Sequence, residues 1–365
     1  MRTARRAATW DTVERLLASG TYAAVVVATN RAEVALQARQ EGAIAVPMPT
    51  AGGLAALLVD VAARFGAQGL LCLGGAAAPL LDASSFAEIA ARLQRPGIWA
   101  NNPQSADMTA FAPATLAQAL LPGPLYCSDN QLAVSLSERT GLPLQLLPLE
   151  TPWICDFDTP TELLMMEGHP HLGPHLASFL ATIDWPRQRR DAVLSALADH
   201  PYTELALIGR VPPHAVAFLN AHLRLRIRVF SEERGMKALG RTHEETVRSL
   251  LGYFVESVGL PAFLQALGQV ADAVLWDTRP LWAHLGLHWE EELRFRADLG
   301  DAENRGEEWF DRWQEALAAA PLPILCGGHA LVSGAVRFLP AQLPKTLHKE
   351  HASSRDAGGC SEIVT

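Results

Sequence analysis

Two carboxylates stand two residues apart in Asp156-Phe-Asp-Thr-Pro-Thr-Glu-Leu163. On an extended strand end, positions i and i+2 project from the same face, so Asp156 and Asp158 can serve one site. Carboxylate oxygens are the ligands that hard divalent cations such as Mg²⁺ take, which makes this pair candidate metal ligands. Thr159-Pro160 directly afterwards is a helix start, with proline at the first helical position where its missing N–H is no loss. On that alternative reading Asp156 simply braces the turn into the helix. Asn101-Asn-Pro103 with Asp107 has the composition of a turn and is also a candidate substrate-facing loop.

A second group of polar residues follows four apolar runs in the later part of the chain. These are Gly209-Arg210 with His214, Ser231-Glu232-Glu233-Arg234-Gly235, Asp277-Thr-Arg279, and Gly327-Gly328-His329. Ligands of open α/β sheets bind in the crevice outside the carboxyl ends of the strands. In a parallel sheet Arg210, Glu232, Glu233, Arg234, Asp277, Arg279 and His329 converge there. Arginines beside helix N-termini suit an anionic small molecule, and the glycine pair before His329 allows close backbone approach. Salt bridges among these same residues are the ligand-free alternative. His169, His171 and His175 sit in a Gly/Pro-rich stretch that is poorly suited to a rigid metal site.

The elements that must position these residues are read from hydrophobic runs. Tyr22–Thr29, Ala43–Met48, Gly69–Leu73, Ile98–Ala100, Leu125–Cys127 and Gln145–Leu147 read as strands, with helices over Thr9–Leu17, Arg31–Gln40 and Leu54–Phe65. Runs apolar on both faces and separated by helices predict a mostly parallel sheet between helix layers. After a linker, a helix over Arg187–Asp199 leads to strands at Leu205–Gly209, Leu225–Phe230, Ala273–Trp276 and Pro323–Cys326, with a helix over Pro212–Leu223. Thr242 and Glu245, in capping-box spacing, open a long helical region to Val270. The expected organisation is α/β, with residues 1–165 as one domain and 166–195 as linker and connecting helix. A second α/β domain spans 196–340, and a disordered tail runs from 341 to 365.

Over roughly residues 9–165 the order of motifs resembles the MobA-like nucleotidyltransferases. The order is a strand, Thr29-Asn-Arg31, a second strand, a helix, Gly74-Gly75 with Pro79-Leu-Leu81, Asn101-Asn102 with Asp107, and Asp156-Phe-Asp-Thr-Pro160. The resemblance implies a GT-A (nucleotide-diphospho-sugar transferase) fold that binds a nucleoside triphosphate and Mg²⁺. A small phosphorylated acceptor then attacks the α-phosphorus and releases pyrophosphate, while metal neutralises the developing charge. By the same resemblance Asp156 and Asp158 hold the metal, and Asn101, Asn102 and Asp107 face nucleotide or acceptor. The family's opening strand and glycine-rich loop have no counterpart after Met1, and Gly74–Pro79 lacks the family's metal-binding Asp. These departures favour an alternative: an inactive GT-A-like scaffold whose second domain binds an anionic small molecule. No catalytic residue is assigned.

Composition bounds the rest. The chain has 365 residues, 49% hydrophobic and 19% charged, enough apolar material for a large core. Thirty Lys and Arg against 39 Asp and Glu, a net charge of −9 without a basic run, argue against nucleic-acid binding. The apolar runs are too interrupted for a membrane span, and Asp11, Glu14 and Arg15 fall where a signal peptide is apolar. Five cysteines without CxxC spacing suit a reducing compartment, so the expected location is cytoplasmic. Trp276, Trp282, Trp289, Trp309 and Trp313 read as packing residues.

Overall fold

The computed structural model describes residues 1–49, 52–103, 106–121, 129–233, 236, 240–300 and 307–349. The protein is α/β. Its first part runs α1 Arg2–Ser19, β1 Val26–Ala28, α2 Ala32–Gln40, β2 Ile44–Val46, α3 Gly53–Phe65, β3 Leu70–Leu73, α4 Ala83–Arg92, β4 Gly97–Ala100, β5 Met108–Ala112, α5 Leu132–Thr140, β6 Leu144–Leu146 and α6 Thr151–Ile154. There follow α7 Pro160–Met166, α8 Pro174–Ala181, α9 Gln188–Ala198, β7 Glu204–Gly209, α10 Pro213–His222, β8 Arg226–Ser231, α11 Leu250–Val258, α12 Leu260–Leu267, β9 Ala273–Asp277, α13 Arg279–His284, α14 Glu291–Leu299, α15 Glu308–Ala318, β10 Ile324–Gly327 and α16 His329–Ser333.

The later sheet is parallel throughout, in the order β10-β9-β7-β8. The period-two alternation of its buried strands sorts their side chains into two cores. Leu205, Leu207, Leu275 and Leu325 join one, while Ala206, Ile208, Trp276 and Cys326 join the other. In the second core the Trp276 and Trp313 rings lie 5.3 Å apart, the packing role expected of these tryptophans. β8 closes the edge with charge, because Arg228 Nη2 lies 2.8 Å from Glu204.

The earlier part corrects the expected mostly parallel sheet. β1 and β2 pair in parallel, but the four-stranded sheet β3-β5-β4-β6 contains β5, antiparallel to both neighbours. The segment 101–107 joining β4 to β5 is too short for a parallel crossover, which takes about a dozen residues or more. Met108-Thr-Ala-Phe-Ala112 has few β-branched residues and was invisible as a strand. The expected strand Leu125–Cys127 lies outside the described residues.

Three further expectations change. The single helical region Thr242–Val270 is two helices, α11 and α12, bent by 116° at Gly259, whose φ is +83°. Thr242 and Glu245 cap nothing there: Glu245 has φ +54°, and the true N-cap is Ser249, which accepts from the Gly252 N–H at 2.8 Å. The Gly/Pro/His linker is tied down, because the Asp11 carboxylate accepts from the His175 and Leu176 amides at 2.9 Å each and so caps α8. The tail is ordered to residue 349: Leu343 and Leu347 are buried, and the Arg224 N–H donates to the Leu347 carbonyl at 2.7 Å. Residues 350–365, including Cys360, lie outside the described residues. Among those described, no single helix is long and apolar enough to cross a membrane.

Asp82 caps α4 and accepts from the Ser85 N–H and the Ser84 and Ser85 hydroxyls, each at 2.8 Å. These bonds, the backbone one foremost, hold its pKa down at about 2. Asp82→Ala is therefore expected to lower stability by about 1 kcal/mol at pH 7. The depressed carboxylate contributes above its ordinary value of 3.8 and loses its contribution as pH falls through about 2. Urea unfolding at pH 7 and again near pH 2 would read the difference.

Candidate functional site: acidic residues where the two sheets meet

The Asp156–Asp158 segment is a loop between α6 and α7 rather than a strand end. The alternation survives without a strand: Cys155 and Phe157 are buried, Asp156 is half-buried and Asp158 is exposed. Asp107, on the β4–β5 connection, is hydrogen-bonded to Asp156 through its side chain. A bond between two carboxyl groups requires one shared proton. Burial first, then the charges of Asp107, Asp158 and Glu162, push the Asp156 pKa well above the usual carboxylate range. The structure thus unites Asp107, expected to face a ligand, with Asp156 and Asp158, expected to hold metal.

Glu162 is the residue that motif reading passed over. It stands three positions after Thr159, and the two form a capping box at the start of α7. Its carboxylate accepts from the Thr159 N–H at 2.5 Å and from the Gly328 N–H at 3.0 Å, with no exposed surface. Desolvation raises its pKa to about 7 and Asp158 adds to this, while the bonds from Thr159 and Gly328 oppose it. The Thr-x-x-Glu spacing was the available signal, but it announces a cap and not a link to residue 328. Thr161 adds a second link, its hydroxyl donating to the Cys326 carbonyl at 2.8 Å. Glycine at 328 makes the approach possible, since a Cβ there would lie 3.0 Å from Thr159 Cγ2. The glycine pair before His329 therefore admits α7 to the end of β10.

Asn101 is buried, and its Oδ1 accepts from the Met108 N–H at 3.2 Å, so it closes the β4–β5 turn. Asn102 beside it is half-buried.

At the carboxyl ends of the parallel sheet the arginines face inward partners. Arg210 forks onto Asp277, Nε to Oδ2 at 2.6 Å and Nη2 to Oδ1 at 3.1 Å, and its backbone N–H adds a third bond at 3.2 Å. Asp277 is fully buried; desolvation, the largest influence, would raise its pKa, but Arg210 together with His329 and Arg279 makes the net direction down. Arg279 forks onto Asp298 at 2.6 and 3.1 Å and lies 4.5 Å over the Trp282 ring. At Asp298 desolvation wins and the pKa is raised. Glu232 accepts from the Ser249 hydroxyl at 2.7 Å, and Glu233 pairs with Arg241 at 2.9 Å. Arg234 lies outside the described residues. Asp298, on α14, belongs to no motif and was not anticipated.

A third group, Asp11, Glu14 and His175, could hold a metal ion, with ligand atoms all within 4.8 Å of one another. His175 Nε2 lies 2.7 Å from Glu14 Oε1. Of the three linker histidines, only His175 joins such a group among the described residues; His169 packs edge-on against Phe338. Neither protein-family models nor the sequences of curated proteins match this chain.

Proposed function

We propose that the chain is a nucleotidyltransferase of the MobA-like kind, in which Asp107, Asp156 and Asp158 hold Mg²⁺ beside a nucleoside triphosphate and a small phosphorylated acceptor. The observation that carries this reading is the hydrogen bond joining Asp107 to Asp156, with Asp158 and Glu162 close enough to raise Asp156 further. The leading influences on Asp156 all disfavour its anion, and an all-oxygen carboxylate set is what a hard divalent cation suits. Bound there, Mg²⁺ would supply charge neutralisation at the transferred phosphoryl group. Glu162 holds the loop carrying Asp156 and Asp158 in place through the Thr159 amide. Asn101 fixes the turn that presents Asp107.

The competing reading, an inactive scaffold with an anion-binding second domain, draws less support. Arg210 and Arg279, the arginines it needs, already have their forks filled by Asp277 and Asp298.

Thermal unfolding with GTP, CTP, ATP or UTP, each with and without Mg²⁺, tests the proposal. A ligand at 100 times its dissociation constant stabilises by about 2.7 kcal/mol. A Mg²⁺-dependent rise with one triphosphate, abolished in Asp156→Asn, is expected. The same midpoint in all eight mixtures would sink the nucleotidyltransferase reading.

A further inference from the structure

Arg337 sits on the 3₁₀ turn Ala335–Phe338 and is only 8% exposed. Its Nε is sealed from solvent without a hydrogen-bond partner, whereas its two Nη nitrogens are not sealed. Among the described residues no carboxylate answers this charge: burial lowers the Arg337 pKa, and only the Cys155 thiol acts in the other direction. That thiol is itself buried, with its pKa pushed well above the ordinary value, so it stays protonated and supplies no counter-charge. The Phe218 ring lies against the guanidinium, its centroid 4.4 Å from Cζ. A cation–π contact offsets only a fraction of the cost of taking a guanidinium out of water. A buried arginine whose fork is empty is one side of an anion site.

The other side is the start of α10. His222 stacks on one face of the Phe218 ring, with centroids 4.0 Å apart, which leaves no room there for a second group. His222 lies one turn later in α10, so Arg337 covers the opposite face, the one turned toward the first turn of the helix. Helical side chains lean toward the N-terminus, which brings ring and guanidinium closer to that turn. α10 follows the carboxyl end of β7, and Pro212 at its N-cap brings no side-chain acceptor for the first amides. The start of a helix at the carboxyl end of a parallel strand is where anions bind. The turn that carries Arg337 also packs on the acidic loop: a Cβ at Gly334 would lie 3.2 Å from the Cys155 Cα. We propose that Arg337 and the first turn of α10 bind the phosphate group of a small molecule. A phosphate has oxygens enough for both the fork and the helix amides, which the two oxygens of a carboxylate do not match. Arg337 belongs to none of the strand-end motifs, and its fork is unfilled where those of Arg210 and Arg279 are taken. The site stands without the nucleotidyltransferase reading; only the assignment of this phosphate to the acceptor rests on that reading, through the neighbouring Asp156 loop.

Inorganic phosphate is the probe, titrated calorimetrically into the full chain with EDTA present and no nucleotide, against chloride at equal ionic strength. Arg337→Met keeps a stem against Phe218 but removes the fork, and is expected to weaken phosphate binding by about tenfold or more. Without phosphate the same variant is expected to unfold at an equal or higher temperature than the parent, because an uncompensated buried charge is gone. Arg337→Lys keeps a charge without the fork and is expected to fall between the two in affinity. Acetate is expected to bind about tenfold more weakly than phosphate, and equal binding would overturn the phosphate assignment. No saturable phosphate binding in the parent chain, or equal affinity in parent and Arg337→Met, would overturn the proposal and leave Arg337 a packing residue. Phosphate binding that appears only on deleting residues 350–365 would make that segment the occupant and equally overturn it. Because neither Mg²⁺ nor triphosphate is present, this test and the Mg²⁺-dependent triphosphate shift fail independently of each other.

Discussion

Arg210→Ala is expected to destabilise the protein by about 3–5 kcal/mol, because it strands a carboxylate that has no exposed surface. Asp277 accepts from the Arg210 side chain at 2.6 and 3.1 Å and from the Arg210 and Arg279 amides at 3.2 and 3.3 Å. The amides remain in the variant, but the guanidinium that forks onto Asp277 is gone. The neighbourhood leaves little room to relax. Gly209 has φ +108°, and a Cβ there would stand 2.6 Å from the Asp277 carbonyl oxygen. Adding Asp277→Asn to Arg210→Ala removes the stranded charge and is expected to recover part of the loss. Urea unfolding of the single and double variants measures both effects. A loss below about 1 kcal/mol would show that Asp277 takes up a proton and tolerates isolation, contrary to the lowered pKa assigned to it.

The second large effect concerns pH. Glu162 titrates at an ordinary 4.5 when unfolded and at about 7 when folded. Its contribution to stability is therefore complete below about 4.5 and is lost as pH rises through about 7. A shift of this size corresponds to on the order of 3 kcal/mol. With EDTA present to keep divalent cations away from the neighbouring acids, the unfolding midpoint is expected to fall between pH 5 and pH 8. Glu162→Gln keeps the side-chain size but carries no charge, so the variant is expected to show a visibly flatter fall, even though its lost acceptor lowers the midpoint at every pH. Parallel pH profiles for the two proteins would remove Glu162 as the source of the slope.

In the later sheet β7, β9 and β10 were legible because they are near-continuous apolar runs, the pattern of parallel-sheet strands covered on both faces. β5 was not, since alanine and methionine mark a strand no better than a helix, and its direction follows from the length of the turn before it. The region 242–270 was misread because its apolar periodicity passes smoothly through Gly259-Leu-Pro261, where backbone conformation changes and hydrophobicity does not. Asp156 and Asp158 announced themselves by spacing, and Glu162 by the cap it makes. The partnership of Asp156 with Asp107 bridges a stretch of chain containing α5 and β6, and no local spacing encodes it. The same holds for Arg279 and Asp298, whose meeting depends on where α14 docks.

The buried bonds from Glu162 to Gly328 and from Thr161 to Cys326 cross the boundary that composition places near residue 165. The helix carrying Thr161 and Glu162 packs into the core of the later sheet, and so do Ala4, Ala7 and Ala8 at the other end of the early sequence. One core of the later sheet is thus shared across that boundary, and it closes only when the start of α1 and α7 are both in place.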